Sequence, residues 1–77
     1  MLYGFNLIAD DDLLLDDEGV ELPDLEAAIA LATRFARDLI AEEARDGRVP
    51  IGWSITIADD AGAVVATVPF ADAVVVQ

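Results

Sequence analysis

The chain contains no cysteine, no histidine and no lysine, and a single serine, Ser54. Without cysteine there is no disulfide and no thiolate metal site. Without histidine there is no imidazole ligand, and the common nucleophile–base pairs are missing. Ser54 alone cannot build a hydrolytic triad, so enzyme activity is not expected. Positive charge is scarce as well: four Arg stand against sixteen Asp and Glu, a net charge of −12. Such a field opposes DNA, RNA and anionic membranes, and suits solubility or a cationic partner. The glycines are scattered, with no G-x-G-x-x-G and no Walker pattern. No apolar run approaches the roughly 20 residues that span a bilayer. The N-terminus lacks the basic region of a secretory signal, and cytoplasmic residence is the default expectation.

What the chain has in excess is apolar surface. Its hydrophobic fraction of 56% exceeds the usual range of about 45–50%. Seventy-seven residues make one domain, near the size at which a single core supplies only a few kcal/mol. With disulfides and soft-metal sites excluded, a homodimer is the simplest way to bury the surplus.

The stretch from Leu25 to Asp46 organises the rest. Leu25, Ala28, Ile29, Ala32, Phe35, Ala36, Leu39 and Ile40 recur at steps of three and four, on one side of an α-helix. Glu26, Thr33, Arg34, Arg37, Asp38, Glu42 and Arg45 occupy the other side. Leu22-Pro23-Asp24 is a start signal: Pro23 has no N–H to donate, and Asp24 can cap the free amides of the first turn. Leu22 or Val20 can pack on that turn as a staple. Gly47 is the natural stop, and Pro50 forbids continuation. Arg34 with Asp38 and Glu42 with Arg45 are at ion-pair spacing.

On either side the pattern is strand and turn. In Leu2–Ala9, Tyr3, Phe5 and Leu7 alternate with Gly4 and Asn6. Asp10, Asp11 and Asp12 read as an acidic turn, and Leu13–Leu15 as a strand returning antiparallel. Trp53–Ala58 alternates cleanly, Asp59-Asp60-Ala61-Gly62 is a hairpin turn with Gly62 free to take positive φ, and Ala63–Val68 returns. Pro69 should interrupt the ladder, and Phe70-Ala71-Asp72 should bend or make one helical turn. The expected fold is α+β: ββαββ, an antiparallel sheet with one long helix packed across a face. Tyr3, Phe5, Leu7, Trp53, Ile55, Ile57, Val64 and Val68 join the helix stripe in the expected core. Val74, Val75 and Val76 are too apolar for a frayed tail, and would add an edge strand or meet another copy.

Few residues invite chemistry. The acidic stretch Asp10–Glu18 offers carboxylates to a hard cation, but fails as an EF-hand loop. Counted from Asp10, Leu14 and Leu15 fall where further positions demand other residues. It reads as a solvated turn. Tyr3, Phe5 and Trp53 could stack bases, yet lack basic neighbours, and read as core aromatics. No catalytic, cofactor-binding or metal-binding residue is assigned, and no cofactor is implied.

Asp17–Ala28 (DEGVELPDLEAA), with Val68-Pro69-Phe70-Ala71-Asp72-Ala73 at the far end, resembles a family of small uncharacterised proteins of rhizobia, methylobacteria and related alphaproteobacteria. Leu2-Tyr3-Gly4-Phe5 is similar to that family's aromatic first strand, and Asp59-Asp60-Ala61-Gly62 to its D-x-x-G turn. Relatives often carry a His and basic residues in the first strand, where this chain has Asn6 and no positive charge. The resemblance implies the same fold and a bacterial cytoplasmic setting, and no activity. A weaker likeness is to the small acidic antitoxin of a toxin–antitoxin pair. That domain has three strands before its helix, and often a DNA-binding tail. The expected function is protein–protein contact or homodimerisation without catalysis. The alternative is an acidic, antitoxin-like regulator that neutralises a basic protein partner.

Overall fold

The computed structural model describes residues 1–9, 12–15 and 19–73, with 12–15 described by backbone alone. The expected antiparallel ββαββ architecture is present, with one short strand added. Strand β1 spans Leu2–Ala9, β2 Asp12–Leu15, β3 Val20–Glu21, β4 Ser54–Ala58 and β5 Val64–Pro69; helix α1 spans Leu25–Arg45, and a 3-10 turn spans Phe70–Ala73. The sheet order is β2-β1-β4-β5, with β3 also paired to β1. Asp12, expected in a turn, opens β2 opposite Ala9. The approach to the helix is itself a strand, because Val20 and Glu21 pair with Tyr3 and Leu2. The expectations for Val74, Val75 and Val76, and for most of Asp10–Glu18, fall outside the described residues.

The helix begins and ends where its caps dictate. Asp24 Oδ1 accepts from the Ala27 N–H at 2.8 Å, satisfying one of the amides that a helix start leaves free. At the other end Gly47 takes φ +82°. Its N–H donates to the Ala44 carbonyl at 3.0 Å and that of Arg48 to the Glu43 carbonyl at 2.9 Å, a Schellman closure. Ala28, Ala32 and Ala36 are fully buried, and these small side chains let α1 lie close on the sheet. Neither expected pair, Arg34–Asp38 or Glu42–Arg45, forms; Arg48 Nη1 instead lies 3.6 Å from Glu43 Oε2. That oxygen is enclosed and makes no hydrogen bond.

The core joins one sheet face to α1 and the 3-10 turn. It holds Tyr3, Phe5, Ile55, Ile57, Val68, Phe70 and Ala73 with the three alanines, and Leu7, Trp53 and Ala66 pack at its margin. Phe70, read from sequence only as part of a bend, is wholly buried and meets Trp53 edge to face at 5.9 Å. Arg37, placed on the solvent side, reaches across so that its Nε donates to the Ala73 carbonyl at 2.7 Å. Two members of the helix stripe sit at its rim: Ile29 is 39% exposed and Phe35 37%, although Phe35 still meets Phe5 edge to face at 5.5 Å.

Val64 is a correction. It is 60% exposed, because the ladder shifts between Ile57 and Ala58 so that Ile57 faces Ala66 while Ala58 faces Val64. One extra residue breaks the period-2 count and puts Val64 on the face away from the helix.

Candidate functional site

No group of three or more His, Cys, Asp or Glu among the described residues is arranged to hold a metal ion, and Asp10–Glu18 lies largely outside them. Tyr3 and Phe5 are buried beneath the helix, so they form no platform for stacking bases. No helix among the described residues is long and apolar enough to cross a membrane.

The feature that stands out is the sheet face turned away from α1. Register places three rows across it: Gly4 with Ala58 and Val64, Asn6 with Thr56 and Thr67, and Ile8 with Ser54 and Pro69. None of these nine residues is charged, in a chain with sixteen acids. Ile8, Val64, Thr67 and Pro69 are exposed. Of the acids with described side chains, all but Glu21 lie elsewhere. Asp24, Glu26, Asp38, Glu42, Glu43, Asp46 and Asp72 belong to the helix layer or its connections, and Asp59 and Asp60 to the β4–β5 turn. Glu21, the register partner of Leu2, stands on this same face at its corner, where the amino group of Met1 engages it.

That turn keeps its own acids occupied. Asp59 Oδ1 accepts from the N–H groups of Ala61 at 3.0 Å and Ala63 at 2.9 Å, and Gly62 takes φ +86°. The Asp59 N–H donates to the Ala63 carbonyl at 2.9 Å, so the ladder resumes beyond the irregularity at Val64.

The outer edge of β5 is blunted at both ends. The Phe70 N–H donates to the Trp53 carbonyl at 2.9 Å. Antiparallel alternation then assigns Val68 and Ala66 to bonds with β4, and turns the backbone of Thr67 and Pro69 outward. Pro69 therefore stands in the strand, paired with Ser54, rather than interrupting it: its missing N–H is one the ladder with β4 never needed. The bulge disturbs the other end at Val64 and Val65, so Thr67 keeps the one regular outward N–H and C=O pair among the β5 residues. Bulges and prolines are the usual means of preventing edge-to-edge pairing. In Trp53–Ala58, alternation with the core residues Trp53, Ile55 and Ile57 sets Ser54 and Thr56 on the opposite face. The signal it left unused was that this second face carries no charge in any of β1, β4 and β5.

The sequence model of a family described as a domain of unknown function (DUF6894) matches residues 2–71. No curated protein and no solved structure matches the chain.

Proposed function

The chain belongs to the DUF6894 family, a domain of unknown function, and we propose that it is a non-catalytic protein-contact domain that pairs with a second copy of itself through the uncharged sheet face. The observation carrying this reading is that the nine residues in three rows across that face include none that is charged, in a chain with sixteen acids. In a face-packed pair, two helix layers are held apart by two sheets, each layer spacing being roughly 10 Å, for about 30 Å in all. The helix layer and its connections carry seven acids against four Arg, and two charges of −3 at that distance repel by roughly 1 kcal/mol in unscreened water. A Debye length of about 8 Å at physiological ionic strength reduces this further.

The contact is small. Four strands at about 4.8 Å spacing, each roughly 20 Å long, project about 400 Å² per copy, about half of what a standard specific interface takes from each partner. The pair should therefore dissociate on dilution. The test is light scattering after gel filtration over a concentration series, at low and physiological salt. Expected is a mass twice 8.2 kDa at high concentration, favoured by added salt and abolished by Thr56→Arg. A mass of 8.2 kDa for the unaltered chain at its highest soluble concentration overturns the reading.

The net charge favours a second reading, in which the exposed acids Glu26, Asp38, Glu42, Asp46 and Asp72 engage a basic protein as an acidic regulator. Salt separates the two, since it strengthens pairing between like copies and weakens a complex of opposite charges.

A further inference from the structure

We infer that Met1 is a reversible oxidation site, at which conversion of its thioether to a sulfoxide tightens the hold on a core tyrosine and stabilises the fold. Three observations carry it. Tyr3 is only 4% exposed, and its hydroxyl donates to Met1 Sδ at 3.3 Å, although a thioether is a weak acceptor. Met1 itself is 58% exposed, so its side chain is open to a dissolved oxidant. Its backbone is nevertheless fixed, because its carbonyl accepts from the Leu22 N–H at 2.8 Å, next to the Leu2–Glu21 and Tyr3–Val20 pairs. A soft, oxidisable sulfur is thus held at the mouth of a buried hydroxyl.

Hydrogen peroxide would deliver one oxygen atom to a sulfur lone pair. The S–O bond forms as the O–O bond breaks, sulfur loses two electrons, and the peroxide leaves as water. The sulfoxide oxygen is a far better acceptor than the sulfur it replaces. With an S–O bond of about 1.5 Å, an O–H···O distance of about 2.75 Å and an angle of about 120° at the new oxygen, the sulfur stands about 3.7 Å from the hydroxyl. From 3.3 Å it must retreat by about 0.4 Å, which a flexible side chain mostly in water does without repacking the core. Methionine oxidation usually disrupts a core. Here little apolar contact is lost, and a buried hydroxyl gains a stronger partner.

Composition makes the site readable: Met1 is the chain's one methionine, Tyr3 its one tyrosine, and there is no cysteine. The unaltered chain and Tyr3→Phe are treated with dilute hydrogen peroxide, and mass spectrometry confirms one added oxygen in each. Thermal unfolding is followed by circular dichroism at one protein concentration, and the second-derivative near-ultraviolet band of Tyr3 is recorded. Expected in the oxidised unaltered chain is a melting temperature raised by roughly 2–6 °C, with a red-shifted Tyr3 band. Methionine sulfoxide reductases for the two epimers should reverse both changes. Oxidised Tyr3→Phe should show no rise. A chain that takes up no oxygen, a melting temperature that falls or stays unchanged, or an equal rise in Tyr3→Phe overturns the inference. An unmoved Tyr3 band in the oxidised unaltered chain does so independently of how Tyr3→Phe folds.

Discussion

Phe70 and Phe35 make similar edge-to-face contacts, with Trp53 and Phe5 respectively, but differ in exposure: none for Phe70, 37% for Phe35. Truncating a fully buried Phe to Ala removes its transfer energy and leaves a cavity, together about 3–5 kcal/mol. A domain of 77 residues has a total stability of roughly 4–12 kcal/mol. Phe70→Ala should therefore remove about a quarter or more of that stability, and Phe70→Leu, which keeps most of the volume and loses the aromatic pair, should cost about 1 kcal/mol. Phe35→Ala opens no closed cavity, because water already reaches the site, and alanine gains helix propensity; about 1–2 kcal/mol is expected. Urea unfolding followed by far-ultraviolet circular dichroism, at one fixed protein concentration, measures all three. The intrinsic fluorescence of Trp53, the single tryptophan, gives a second probe. A loss in Phe35→Ala equal to or larger than that in Phe70→Ala would refute the assignment of Phe70 to the centre of the core and Phe35 to its rim.

Asp24→Ala removes the acceptor for the Ala27 N–H and should cost about 0.5–2 kcal/mol, most of it restored by Asp24→Ser, as thermal unfolding would report. Gly62 takes φ +86° with open space where a Cβ would stand, so Gly62→Ala meets backbone strain alone and should cost roughly 1–2 kcal/mol; an unchanged midpoint would contradict that turn. Glu43 keeps an enclosed oxygen without a hydrogen bond, near an Arg48 side chain that is mostly in water. Glu43→Leu should stabilise the fold by about 1 kcal/mol, raising the melting temperature by roughly 4–8 °C, whereas a fall would show that the ion pair outweighs the desolvation.

The helix was legible almost to the residue because its signals are local and agree: an N-cap aspartate after proline, a 3.6-residue apolar period, and a glycine at the stop. The same holds for the Asp59–Gly62 turn, where one side chain and one glycine fix the geometry. What misled sequence reading was of two kinds. Val64 was assigned to the core by counting twos along β5, and one inserted residue reverses that count beyond it. Phe70 escaped because a residue in a single turn has no period to reveal it. Its burial comes from the Phe70 N–H bond to Trp53 and the Arg37 bond to Ala73, which fold the turn back onto α1, contacts distant in sequence.

The uncharged face was half legible, and the half that was missing is what gives it meaning. Alternation gives each strand a second side, and on β1, β4 and β5 that side reads Gly, Asn, Ile, Ser, Thr, Ala: unremarkable composition for a solvated sheet. Register turns three unremarkable lists into one continuous surface, with the polar Asn6–Thr56–Thr67 row between two more apolar ones. Solubility alone would be served as well by acids scattered over it, since exposed strand positions accept charge at little cost. The same bulge that spoils the sequence count turns Val64 onto this face and, with Pro69, blunts the neighbouring edge. A β5 edge that resists strand pairing beside three rows of uncharged, partly apolar residues suits the contact across the face proposed above, with Glu21 and the Asp59–Gly62 turn left at its corners.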